Sequence, residues 1–150
     1  MNQVPGAYRI LPELLLTITG ILIMVIEPLM PPGMTRKPIG FLSLAGVIGA
    51  LLASVWQLGL PVGTAFYGTV QTDAFSVFFH VLICSVVLVA LLIAFDVFDG
   101  TKERPAEYYA LVLFGATGMC LMTSAVELLL VFISLEISSI ATYINIFCFW

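Results

Sequence analysis

Five long runs of apolar residues leave this chain few ways to fold. A run of ~20 apolar residues, coiled as a helix, spans the ~30 Å hydrocarbon core of a bilayer. Helical coiling also satisfies the backbone groups that lipid cannot. The runs are 11–29, 39–60, 74–95, 107–124 and 127–146. They predict an all-α integral membrane protein of five transmembrane helices, a single membrane domain in the cell inner (plasma) membrane. Composition agrees, with 61% of residues hydrophobic and 9% charged, where soluble domains carry about 25% charged residues. Only five Lys or Arg are present, and they form no cluster. The expected surroundings are therefore the lipid bilayer and other membrane helices, with no nucleic acid.

The fifth run, ELLLVFISLEISSIATYINI, carries an acid near its middle. Glu136 lies nine residues past Glu127, roughly 13 Å along a helix and so about half-way across the apolar core. The segment tolerates it. Eleven Leu, Ile, Val or Phe residues each favour insertion by about 0.3–0.6 kcal/mol, against a cost of about 2.5–3.5 kcal/mol for a central acid. An acid at that depth takes a partner, a water-filled cavity or a proton. Ser134, Ser138, Ser139, Thr142 and Tyr143 surround Glu136 with hydroxyls, and Ser139 and Tyr143 share its helical face. Two readings follow. Glu136 handles protons, with Ser139 and Tyr143 as auxiliary relay groups, or it is a protonated acid that bonds a neighbouring helix and fixes packing.

The other charges read differently. Glu13 and Glu27 stand at opposite ends of the first run and are expected as interfacial charges. That run also resembles a signal peptide, but Met30-Pro31-Pro32-Gly33 offers no small-residue cleavage site, so it is kept as a helix. In the second run Ala45, Gly49 and Ala53 recur every four residues, a row that lets another helix approach closely. TAFYGTVQ, in the connection 61–73, has the alternation of a short strand. Thr72 or Asp73 caps the third run. His80, the sole histidine, lies six residues into it. It is expected to be a hydrogen-bonded packing residue, with a proton-relay role as the rival reading. Tyr108 and Tyr109 mark an interface, and Phe147, Phe149 and Trp150 a second one. Gly115 and Gly118 suit close contact, and the fourth and fifth runs form a tight hairpin. Arg36, Lys37, Lys102 and Arg104 fall in the first and third connections, which places the amino terminus outside and the carboxyl terminus inside.

Several chemistries are absent from the sequence. No glycine-rich loop follows a strand, and no serine has a local histidine to activate it. Cys84 and Cys120 fall inside apolar runs and read as small core residues, neither a disulfide nor a metal set. No flavin, haem or iron–sulfur cluster is expected on this chain, so any redox role belongs to partners.

LPELLLTITGILIMVIEP, FYGTVQTDAFSVFFHVL and EYYALVLFGATGMCLMTSAVELLLVFISLEISSIATYI resemble the amino-terminal part of the subunit N family of proton-pumping NADH:quinone oxidoreductase, respiratory complex I. They are similar, more distantly, to the related cation/proton antiporter subunits. The third block is the most specific, because its spacing and the acid in LEISS both fit. The resemblance implies an antiporter-like fold of about fourteen helices with two inverted repeats of five. This chain corresponds to the first three helices and the opening two of the first repeat. It also implies that Glu136 is the family's functional glutamate, paired with a lysine on a later, broken helix. NADH, flavin, iron–sulfur clusters and quinone are implied for the complex, and other membrane subunits as partners. After TYI the family continues through a basic connection, whereas this chain reads NIFCFW. That predicts a truncated, frameshifted or fragmentary product, inactive alone. The alternatives are a subunit of a multi-subunit cation/proton antiporter and a small structural membrane protein without transport.

Overall fold

The computed structural model describes residues 6–31, 37–98 and 105–148. A 3₁₀ turn, Gly6–Ile10, leads into α1, Leu11–Leu29. Pro12 sits in the first turn of α1, where its missing N–H leaves no helical bond unmade. α2 is Lys37–Gln57. The amides of Leu58, Gly59 and Leu60 then bond back three residues, so the chain leaves the helix at Gln57 although 58–60 stay apolar. Two short strands follow, β1 (Gly63–Ala65) and β2 (Val70–Thr72), paired antiparallel with Gly63 opposite Thr72 and Ala65 opposite Val70. The strand-like stretch is thus a hairpin. Its turn puts Phe66, Tyr67 and Gly68 at positive φ, and only the glycine takes φ +92° without a side-chain clash.

α3 is Ala74–Phe98, α4 is Pro105–Ser124 and α5 is Leu128–Cys148. Asp73 caps α3: its carboxylate accepts from Ser76 N–H at 2.8 Å, and the Ser76 hydroxyl lies 3.0 Å from the Asp73 N–H. All five helices, among the described residues, are long and apolar enough to cross a membrane.

α1, α2, α3 and α4 form a closed ring, each packed on the next and α4 on α1. The core is Leu16 and Ile23 on α1, Val47 and Ala50 on α2, Leu91 on α3 and Leu113 on α4. α5 stands outside the ring and packs chiefly on α4. Lipid is as apolar as these side chains, so close approach rather than water exclusion holds the helices together. Gly118 shows this. A Cβ there would come 2.8 Å from both Ser134 O and Ser138 N, so α5 lies directly against the α4 backbone.

The packing face of α2 differs from the Ala45–Gly49–Ala53 row. Ala45 is exposed and Gly49 half-buried, and only Ala53 of the three is buried. The buried line is Ser43, Val47, Ala50, Ser54 and Gln57, with Gly46 close against Thr19 of α1. α2 is apolar all round, so a row of small residues does not set its rotation. Near the start of α4, Tyr109 is buried beside Phe98, while Tyr108 is half-buried. Arg36, Lys102, Arg104, Phe149 and Trp150 lie outside the described residues.

The hairpin covers one end of the ring. Arg9 donates from Nη1 to Gly63 O at 2.9 Å and from Nη2 to Pro61 O at 3.4 Å. Gln57 Nε2 donates to Tyr8 O and Arg9 O at 3.1 and 3.0 Å. Val126 N–H donates to Thr69 O at 2.9 Å, beside a bridge between Val70 and Ala125. The starts of α1 and α3 and the ends of α2 and α4 therefore meet beneath one lid.

Candidate functional site

Acidic and polar side chains gather in two places, which share no residue. The first is under the hairpin. Glu13, in the first turn of α1, is 2% exposed, and His80 of α3 and Ser124 of α4 are equally enclosed. His80 Nε2 lies 3.3 Å from Glu13 Oε1 and 3.1 Å from Cys120 O. Ser124 Oγ lies 2.9 Å from the same nitrogen, and its hydroxyl reaches Glu13 Oε1 or Cys120 O, each at 3.3 Å. Three helices are pinned through one contact. Glu13 is therefore no interfacial charge: it begins its helix yet points into the ring. The line Glu13, Leu16, Gly20, Ile23 is buried, and Gly20 packs against Phe114 of α4, a contact between helices that the sequence of α1 does not show. His80 is hydrogen-bonded, as expected of a packing histidine, and also has a carboxylate beside it, which the sequence reading did not supply. One step along, Cys84 and Cys120 are free, buried thiols in mutual contact, with Ser54 against Cys84.

The second place is the outer face of α5. Glu136 is exposed, on the side turned away from α4. Tyr143 is 72% exposed and Ser139 half-buried. The buried positions of α5 are Ser134 and Ala141. Ser134 and Thr142 spend their hydroxyls on carbonyls of their own helix, Leu130 O at 2.7 Å and Ser138 O at 2.8 Å. Glu136 makes no hydrogen bond or ion pair among the described residues. The structure places Glu136, Ser139 and Tyr143 on α5 and leaves His80 inside the ring with Glu13. Among the described residues no His, Cys, Asp or Glu group is arranged to hold a metal ion.

Over nearly all of its length the chain aligns with one kind of protein. NADH-quinone oxidoreductase subunit N 2 of Koribacter versatilis is 48% identical across 91% of this chain. The chain is homologous to subunit N of NADH-quinone oxidoreductase. Subunit N 1 of Solibacter usitatus is 38% identical across 92% of the chain, and NAD(P)H-quinone oxidoreductase subunit 2 of a Synechococcus is 31% identical across 92%. The matches take in 29%, 28% and 26% of those three proteins, so the chain spans less than a third of the subunit N relatives it matches. No family model matches it. With five spans and this kinship, the chain is a multi-pass protein of the bacterial membrane.

Proposed function

We propose that this chain supplies the opening helices of subunit N in the membrane arm of a proton-pumping NADH:quinone oxidoreductase. In that setting Glu136 exchanges a proton with a basic side chain carried by helices that cover α5. The observation that carries this reading is the position of Glu136, mid-helix, exposed and without a partner on the uncovered face of α5. An acid facing lipid there costs about 2.5–3.5 kcal/mol, and a buried partner removes that cost. The resemblance supplies such a partner, the lysine of a later broken helix. A proton then sits on Glu136 when the cation is distant and leaves when it approaches, as redox chemistry elsewhere in the complex moves the charge. Ser139 and Tyr143, on the same face, are the auxiliary hydroxyls. His80 belongs to the separate cluster in the ring. Electron carriers and quinone belong to other subunits of the assembly.

The test is Glu136→Gln in the full-length subunit, which keeps shape and hydrogen bonding. NADH-driven acidification of inverted membrane vesicles should fall at least about tenfold, since a proton-transferring side chain contributes on the order of 10²–10⁴-fold. An immunoblot should show the complex still assembled. Full pumping at normal abundance returns Glu136 to a packing acid. The basic residues of the first and third connections support an amino terminus outside. Reporter fusions at Lys102 and at Val70 should give opposite compartments, and one shared compartment overturns that orientation.

A further inference from the structure

We propose that Glu13, His80 and Ser124 form a second proton-handling site, in which the carboxyl and the imidazole share one labile proton and the Ser124 hydroxyl turns to suit each arrangement. The proposal stands on the packing of α1, α3 and α4 and needs nothing from the role given to Glu136. Its geometry is specific. His80 Nε2 faces Cys120 O and Glu13 Oε1, both acceptors, and Ser124 Oγ, which can accept or donate. Ser124 has one proton for three neighbours, Glu13 Oε1, Cys120 O and His80 Nε2. The outer atoms of the pair, Glu13 Oε2 and His80 Nδ1, are buried and have no partner among the described residues. Each is expensive to bury without a partner. A proton-exchanging pair needs them, because these atoms are where a proton enters and leaves.

A net charge is costly in so enclosed a site, so the pair holds one proton beyond a carboxylate and a neutral imidazole. A proton taken up on Nδ1 makes an imidazolium beside the Glu13 carboxylate. The Nε2 proton then crosses 3.3 Å to Oε1, which leaves a carboxylic acid and a neutral imidazole protonated on Nδ1. Bare Nε2 faces a carbonyl in that state, and Ser124 meets it by donating its O–H across 2.9 Å. No proton is gained or lost in the exchange. The other groups at this end leave the pair its own charge. Cys84 on α3 and Cys120 on α4 are the neighbouring titratable groups. α2 contributes neutral Ser54 and Gln57, and Asp73, before α3, is engaged with Ser76. The Arg9 guanidinium is taken by the carbonyls of Pro61 and Gly63.

His80 is the only histidine in the chain, so imidazole ¹⁵N labelling reads this site alone. The full chain in lipid bilayers, studied by solid-state NMR at neutral pH, should show a protonated Nδ1 that receives magnetisation quickly from water. Glu13→Gln, which cannot trade the proton, should give a single neutral imidazole with Nδ1 bare and Nε2 protonated. Ser124→Ala removes the donor for bare Nε2, and the form lacking an Nε2 proton should fall at least about twofold. A bare Nδ1 in the unmodified chain, or one as isolated from water as the side chain of Leu16, overturns the proposal whether or not the variants fold.

Discussion

Two acids divide this molecule. Glu13 is enclosed by four helices and a hairpin, meets a histidine and a serine, and ties α1, α3 and α4 together. Glu136 stands on a helix that touches chiefly one neighbour, and it has no hydrogen-bond or ion-pair partner among the described residues. Both are glutamates in apolar helices, and the residues beside them do not separate them. What separates them is closure. Among the described residues, the buried side-chain polar atoms of α1–α4 have partners, save the outer atoms of the Glu13–His80 pair and the Gln57 carbonyl oxygen. α5 offers a polar group that this chain does not satisfy. In a membrane an unsatisfied acid is the stronger pointer to a missing contact, because lipid supplies no substitute for it. The ring is closed on itself, and α5 packs on it from one side.

The comparison breaks most easily at His80. His80→Ala opens a cavity inside the ring and strips Glu13 of its imidazole, and losses of this kind run to about 3–5 kcal/mol. Unfolding of this chain in mixed micelles by a denaturing detergent should show a destabilisation of that size. The double variant Glu13→Ala/His80→Ala should cost less than the two single changes summed, because the second change no longer orphans a partner. An effect under about 1 kcal/mol for His80→Ala, well below the cost of truncating a buried side chain, would mean that the ring does not depend on this contact and that the contrast with α5 is wrong.

The sequence made some of this legible and hid the rest, for physical reasons. The five helices could be read because length and apolarity alone decide them in a bilayer. Their rotation could not. α2 and α3 are apolar on every side, so Ala45 and Gly49 looked as suitable for a seam as the Val47 and Ala50 that form it. Glu13 was misread for a related reason. Its place near a helix end suits an interfacial charge, and only the turn of Gly20 toward Phe114 shows which way that face points. Glu136 was legible as a singular residue because its depth, not its direction, makes it costly. The hairpin 63–72 was visible in its alternation, but its work as a clamp comes from Arg9 reaching Gly63 O across 54 residues of sequence, with Gln57 holding the backbone of Tyr8 and Arg9 in place. No local pattern encodes such a reach.

The smallest expected effect sharpens the comparison from the other side. Glu136→Gln should leave the stability of this chain within about 0.5 kcal/mol, the range of surface changes that touch no partner. Glu127→Gln, exposed at the start of α5 and half a turn away around the helix, should behave the same. The two acids should part company only in the full-length subunit. There the Glu136 change should weaken proton delivery while the Glu127 change leaves it near normal, since only the mid-helix acid lies at the depth where a second helix can bury it. A packing acid predicts the opposite order: Glu136→Gln would already loosen this chain in the micelle assay, and its defect in the complex would follow the amount of subunit assembled. Measuring both variants in both settings separates an acid that holds a helix in place from one that waits for a charge.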